Sequence, residues 1–249
     1  MAIIARPSPN FDARQAPVSL LILHYTNMAS AAAAVARMCD QDSKVSAHYL
    51  IGEDGSITQM VDEGARAWHA GLAHWAGIDD VNSASIGIEL DHPGHDAAGQ
   101  MVAFKEPQMQ ALISLAQDVM ARHQIAPHAV LGHSDVAPAR KIDPGEAFDW
   151  RRLATHGIGL WLDEVKIEPV ESLTLGAQGP AIAALQKTLS AFGYGVSQDG
   201  IFGPQLQAVV RGFQRHFRPR KVDGEADAET QSLIYALCRI ARTDAAKHI

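Results

Sequence analysis

A layered α/β fold with a mixed central sheet flanked by helices, followed by a small all-α domain of three helices, is predicted by three observations. Short apolar runs bounded by turn residues alternate with amphipathic stretches through the first 160 or so residues, as in a sheet covered by helices. Past a Pro-containing acidic stretch the strand-like runs cease. Beyond it, three segments of 3.6-residue apolar period follow one another.

The first strand is the continuous apolar run Val18 to Leu23, ending at His24-Tyr25-Thr26. Ser30 to Cys39 is alanine-rich and reads as a helix. His48 to Ile51 and Ser56 to Val61 flank Glu53-Asp54-Gly55, and Asp-Gly between two such runs signals a hairpin. Ser85 to Leu90 is a second buried strand. Glu106 to His123 carries apolar residues at Met109, Leu112, Ile113, Leu115, Ala116, Val119 and Met120, a helical face, and Pro107 suits its first turn. Ala129 to Gly132 is a short last strand running into His133.

The α/β part is expected to span residues 1–161, with 162–175 as a linker and 176–249 as the helical part. In that last part Ile182, Leu185, Leu189 and Phe192 share one face, as do Leu206, Val209, Val210, Phe213 and Phe217, and then Leu233, Ile234, Leu237 and Ile240. Asp199-Gly200 and Asp223-Gly224 precede the second and third of these helices as a weak internal repeat. A calcium loop is the rival reading, but the first turn lacks the alternating carboxylates and terminal Glu that calcium needs.

Composition narrows the function classes. A net charge of -7 and one short basic run, Arg215 to Lys221, argue against nucleic acid, whose binding needs a basic face. No stretch approaches a membrane span, and the N-terminus has no charged-then-apolar signal pattern. Cys39 and Cys238 form no CxxC pattern and are expected to be free thiols, which leans the localisation toward the cytoplasm, with the periplasm or cell envelope as the alternative. Twelve histidines invite a search for metal ligands and proton-transfer groups.

Polar groups gather at expected strand ends. His24 closes the first strand, Glu89 lies in the Ser85 to Leu90 strand, His133 closes the last, and Lys141 and Asp143 follow on a Pro-punctuated loop. Two histidines and a carboxylate are a frequent catalytic zinc set with the fourth position open. On spacing alone a satisfied core position is the commoner fate of any one histidine.

The blocks His24-Tyr25-Thr26, Ser46-Ala47-His48-Tyr49, Ala67-Trp68-His69-Ala70-Gly71, Asn82 with Ser85-Ile86-Gly87-Ile88-Glu89, and Gly132-His133-Ser134-Asp135 through Arg140-Lys141 and Asp143-Pro144-Gly145 resemble the amidase-2 family. That family includes bacterial N-acetylmuramoyl-L-alanine amidases, anhydro-muropeptide amidases, phage T7-type lysozymes and animal peptidoglycan-recognition proteins. The resemblance implies that His24, His133 and Asp143 bind zinc and that Glu89 and Lys141 are the catalytic pair. Glu89 would move the proton from the attacking water to the leaving amine, and Lys141 would stabilise the oxyanion. It also implies that Trp68, His69 and Asn82 lie at the sugar-peptide groove, with a structural plug under the loop as the other reading. The T7-type branch has a tyrosine before the equivalent of His48 and a cysteine as third ligand; here those positions are Ala47 and Asp143. His48 is expected to pack against the sheet.

Asp199-Gly200-Ile201-Phe202-Gly203-Pro204, with Val209 to Gln214 and a degraded second turn at Val222-Asp223-Gly224, resembles the three-helix peptidoglycan-binding domain. The substrate implied is peptidoglycan or soluble muropeptide, cut between N-acetylmuramic acid and L-alanine. A non-catalytic muropeptide-recognition protein of the same fold is the alternative, and the complete set of ligands and catalytic residues counts against it.

Overall fold

The computed structural model describes residues 2–245, so residue 1 and residues 246–249 of the expected segments lie outside the described residues. In chain order the elements are β1 (Ile3–Ala5), β2 (Phe11–Ala13), β3 (Leu20–Tyr25), α1 (Ala31–Met38), β4 (Tyr49–Ile51), β5 (Ile57–Gln59), β6 (Ala65–Ala67), α2 (Val81–Ala84), β7 (Ser85–Leu90), α3 (Glu106–His123), β8 (Val130–Gly132), α4 (His133–Val136), α5 (Trp150–Thr155), α6 (Pro180–Phe192), α7 (Pro204–Phe217) and α8 (Ala228–Ala245). Six strands form one mixed sheet in the order β1-β5-β4-β7-β3-β8, and β2 pairs with β6 outside it.

Buried parallel strands read as continuous apolar runs, and β3 and β7 at the centre are of that kind. The expected hairpin is present, with β4 antiparallel to β5. Side chains alternate across the sheet. Tyr49 and Ile51 join the main core with α3, whereas Leu50 between them joins a smaller cluster with Ala34 and Met38 of α1. Helices therefore cover both faces. The α1 helix starts where the Ser30 hydroxyl accepts the Ala33 N–H at 3.2 Å, a cap worth about 1 kcal/mol.

Register carries function to one end of the central strands. His24 stands opposite Glu89 across the β3–β7 pair. Leu23 stands opposite Gly132 across β3–β8, so His133 emerges beside His24. The strand runs one residue past His24, to Tyr25, so the expected closing residue is its penultimate one.

The stretch 162–175 has little regular structure, yet Leu162, Val165 and Leu173 are half-buried against the core and Leu173 bridges Ala226. The three C-terminal helices share that core with the sheet: Trp75 packs edge-on against Phe192 and Tyr194 at 5.9 and 4.8 Å between ring centroids. Each Asp-Gly turn is held by one buried glutamine. Gln186 donates to Asp199 and accepts from the Gly200 N–H; Gln214 does the same for Asp223 and Gly224. These carboxylates have structural partners, so the repeat is one of turn architecture. Cys39 and Cys238 are free thiols. Among the described residues no helix is long and apolar enough to cross a membrane.

Candidate metal centre and active-site cleft

A cavity of about 540 Å³ opens over the α1 face of the sheet, and His69, Glu89, His133, Lys141 and Asp143 are among its lining residues. At its floor three ligand atoms converge. His24 Nδ1 lies 2.9 Å from His133 Nδ1 and 3.2 Å from Asp143 Oδ2, and His133 Nδ1 lies 3.0 Å from the same oxygen. All three residues are buried.

The far ring nitrogens fix what these atoms carry. The Ser85 hydroxyl donates to the Val81 carbonyl at 2.6 Å, so its oxygen accepts from His69 Nε2–H at 3.2 Å. His69 Nδ1 is then an acceptor and takes His24 Nε2–H at 2.9 Å. His133 Nε2–H donates to the Ala70 carbonyl at 3.0 Å. Both Nδ1 atoms are left as lone pairs facing a carboxylate oxygen. Three acceptors within 3.2 Å of one another repel unless a cation sits among them. Two imidazoles and a carboxylate are a zinc-type donor set, and ligands about 2.0–2.1 Å from a tetrahedral zinc stand about 3.3 Å apart. The residues therefore fit such an ion.

Protonation states agree with this. Burial, then neighbouring His133, lowers the His24 imidazole to about 4, so it is neutral at pH 7. His69 is held well below its ordinary value by burial and by His24 and His48. Glu89 goes the other way. Burial, reinforced by Asp143 and opposed by Lys141, pushes its carboxyl up to about 8. Its Oε2 is buried without a hydrogen-bond partner among the described residues. A carboxyl so placed beside the convergent ligands is poised for proton transfer.

The residues expected at the groove divide. His69 lines the cavity but spends both nitrogens on His24 and Ser85. Asn82 is buried under the segment, and its Oδ1 accepts the His69 and Ala70 N–H groups at 3.0 and 2.7 Å. That makes it a support for the turn that orients both histidine ligands. Trp68 is half-buried away from the cavity lining, with Nε1 donating to Asp12 at 2.7 Å. His48 is buried and packs as expected, accepting the Gly87 N–H on Nδ1 at 3.0 Å. Sequence reasoning assigned no role to Gly87, whose added Cβ would lie 2.5 Å from the His69 ring. Nor did it see Arg140, whose guanidinium donates to the Ala70 carbonyl at 2.6 Å. The in-order signal for both was their place inside quoted motif blocks.

A buried imidazole–imidazole–carboxylate cluster, open to a cleft and flanked by a perturbed glutamic acid and a lysine, defines a hydrolytic metal-site architecture. Residues 14–146 match the family described as "N-acetylmuramoyl-L-alanine amidase", and residues 178–234 match that described as "Putative peptidoglycan binding domain". The chain belongs to the N-acetylmuramoyl-L-alanine amidase family. It is 39% identical over 236 residues to the N-acetylmuramoyl-L-alanine amidase AmiD of Escherichia coli, covering 88% of this chain and 82% of the relative. It is 34% identical to the 1,6-anhydro-N-acetylmuramyl-L-alanine amidase AmpD of Haemophilus influenzae over 58% of this chain and 86% of that protein. Among solved structures, the complex of E. coli AmiD with the substrate anhydro-N-acetylmuramic acid-L-Ala-D-gamma-Glu-L-Lys has a TM-score of 0.77 at 36% identity, covering 92% of each chain. AmpDh3 of Pseudomonas aeruginosa has a TM-score of 0.75 at 29% identity, covering 94% of this chain and 95% of the other.

Proposed function

We propose that this chain is a zinc-dependent amidase that hydrolyses the bond between N-acetylmuramic acid, or its 1,6-anhydro form, and the L-alanine of the stem peptide. The observation that carries the reading is the convergence of three unprotonated acceptor atoms at the floor of the cleft, in a chain of this family. His24, His133 and Asp143 would hold the ion. Zinc would supply a Lewis acid and make water nucleophilic near neutral pH.

With a cation among the ligands drawing its raised carboxyl back toward the ionised form at neutral pH, Glu89 would accept a proton from the attacking water through its unpaired Oε2 and return one to the departing nitrogen. Lys141, across the same cavity, would stabilise negative charge growing on the scissile carbonyl oxygen. Water adds to the lactyl carbonyl carbon, the C–N bond breaks, and the amine of L-alanine leaves with the proton. His69, Asn82 and Ser85 would keep the imidazole lone pairs aimed inward. Residues 1–161 would carry this chemistry and residues 176–249 a peptidoglycan-binding-like region, joined by 162–175. AmiD bound to an anhydro-muropeptide supports a soluble muropeptide as substrate class here.

Mass spectrometry of anhydro-muropeptide and of purified sacculi after incubation with the zinc-loaded protein tests this. The expected product is free stem peptide with an L-alanine amino terminus, lost on chelation and regained with zinc. Intact substrate in both would contradict the proposal.

A further inference from the structure

We propose that the C-terminal helices are a positioning element of the metal site, with Tyr194 and His216 acting through Asp135 on the segment that carries two of the three ligands. The proposal rests on the metal-site reading above. It concerns how that site is held together.

Asp135 lies two residues after His133, in α4. It is 1% exposed, in a layer where sheet and helices meet. Its Oδ1 accepts the Tyr194 hydroxyl at 2.7 Å. Its Oδ2 accepts His216 Nδ1–H at 2.7 Å and the Gly132 N–H at 2.7 Å. One carboxylate thus ties the residue before His133 to two side chains of the helical region. The donors are as buried as the acceptor: Tyr194 is 1% and His216 2% exposed. Charge-assisted bonds made in such a place are strong, and none of the three can be exchanged for water without opening the interface.

Two further contacts aim the grip at the ligands. Ser134 N–H donates to the Asp143 carbonyl at 2.9 Å, so the turn that bears His133 also holds the backbone of Asp143. Helix α7 lies directly on that turn at Gly212, where an added Cβ would fall 2.6 Å from the Ser134 carbonyl oxygen. His216, one helical turn further along α7, stacks on Trp150 at 3.7 Å between ring centroids. The α7 helix therefore packs directly against the α4 turn that carries His133. His24, by contrast, is fixed by the sheet. Zinc needs all three within a few tenths of an ångström; the sheet reaches the second and third ligands only through Gly132, and the helices brace the turn beyond it.

Point variants of the full chain test this. Tyr194→Phe keeps the ring and removes one donor; His216→Leu removes the other; His216→Asn restores an N–H near the Nδ1 position. Leu237→Ala, in the helical core away from α4, serves as a control matched for loss of Tm. We expect Tyr194→Phe and His216→Leu to weaken zinc binding, read by chelator competition, by roughly 10- to 100-fold. They should lower kcat with KM little changed and speed amide hydrogen exchange at Gly132 and Ser134. His216→Asn should recover most of the affinity, and Leu237→Ala should leave zinc affinity and exchange at those amides unchanged. Zinc affinity and exchange equal to the parent in Tyr194→Phe and His216→Leu would overturn the proposal. So would an equal loss in Leu237→Ala. If the parent binds no zinc, the proposed function fails by itself, and exchange at Gly132 and Ser134 still decides for or against the grip.

Discussion

Two buried aspartates eight positions apart, Asp135 and Asp143, meet opposite fates. Asp135 receives three hydrogen-bond donors, from Tyr194, His216 and Gly132, and both its oxygens are used. Asp143 faces two imidazole nitrogens whose protons are on the far side of each ring. The first carboxylate is satisfied by polypeptide alone, with His216 Nε2 behind it the one cluster atom left without a hydrogen-bond partner among the described residues. The second is complete only with a cation. Burial and residue type do not distinguish them; the direction of each proton does. A buried carboxylate surrounded by donors is satisfied within the polypeptide, and one surrounded by lone pairs is a candidate for a cation.

Substitutions can break that contrast. The largest effect is expected at Asp143→Ala, which should lose zinc and amidase activity together, read by metal analysis and product release. Glu89→Ala comes next: it should keep zinc and lower kcat by roughly 10²–10⁴-fold, as for loss of a general acid–base group. Turnover equal to the parent would sink the role given to Glu89. Asp135→Ala should cost about 3–5 kcal/mol of stability, measured by denaturant unfolding, because the Tyr194 and His216 donors are left buried and unpaired, and should weaken zinc binding as well by releasing the turn before His133. His69→Ala frees His24 Nε2–H and should weaken zinc binding by about 10- to 100-fold without removing it.

The smallest effect sharpens the comparison from outside the site. Burial alone would raise the Glu63 carboxyl, but hydrogen bonds from Arg122, Tyr49 and His123 hold it down at about 2 against an ordinary 4.5. Its contribution to stability is therefore present above pH 4.5 and fades as pH falls from there toward 2. Thermal unfolding of Glu63→Gln should show a weaker pH dependence than the parent across that window.

Much of this was legible in the sequence where one element supplied its own signal. The β7 strand and the α3 helix occupy Ser85–Leu90 and Glu106–His123, the bounds their apolar patterns predict. The strands β1 and β2 were missed because three-residue exposed strands in Pro-interrupted sequence carry no periodic signal, and β6 because three residues are too few to show one. For the site, ordered motif blocks pointed to His24, His133 and Asp143, and the register of β3 with β7 and β8 brings the two histidines and Glu89 to one end of those strands. The tautomer chain through His69 and Ser85 was hidden, since only three-dimensional hydrogen bonds say where a proton lies. Asp135 stood inside a quoted block without a role because its partners Tyr194 and His216 are 59 and 81 residues away.

The measurement that bears most directly on the difference between the two aspartates is the zinc content of the purified parent set beside Asp143→Ala. The account predicts about one zinc per chain in the parent, retained through dialysis, and none in Asp143→Ala. A parent that retains no zinc, or a variant that retains as much as the parent, would contradict it.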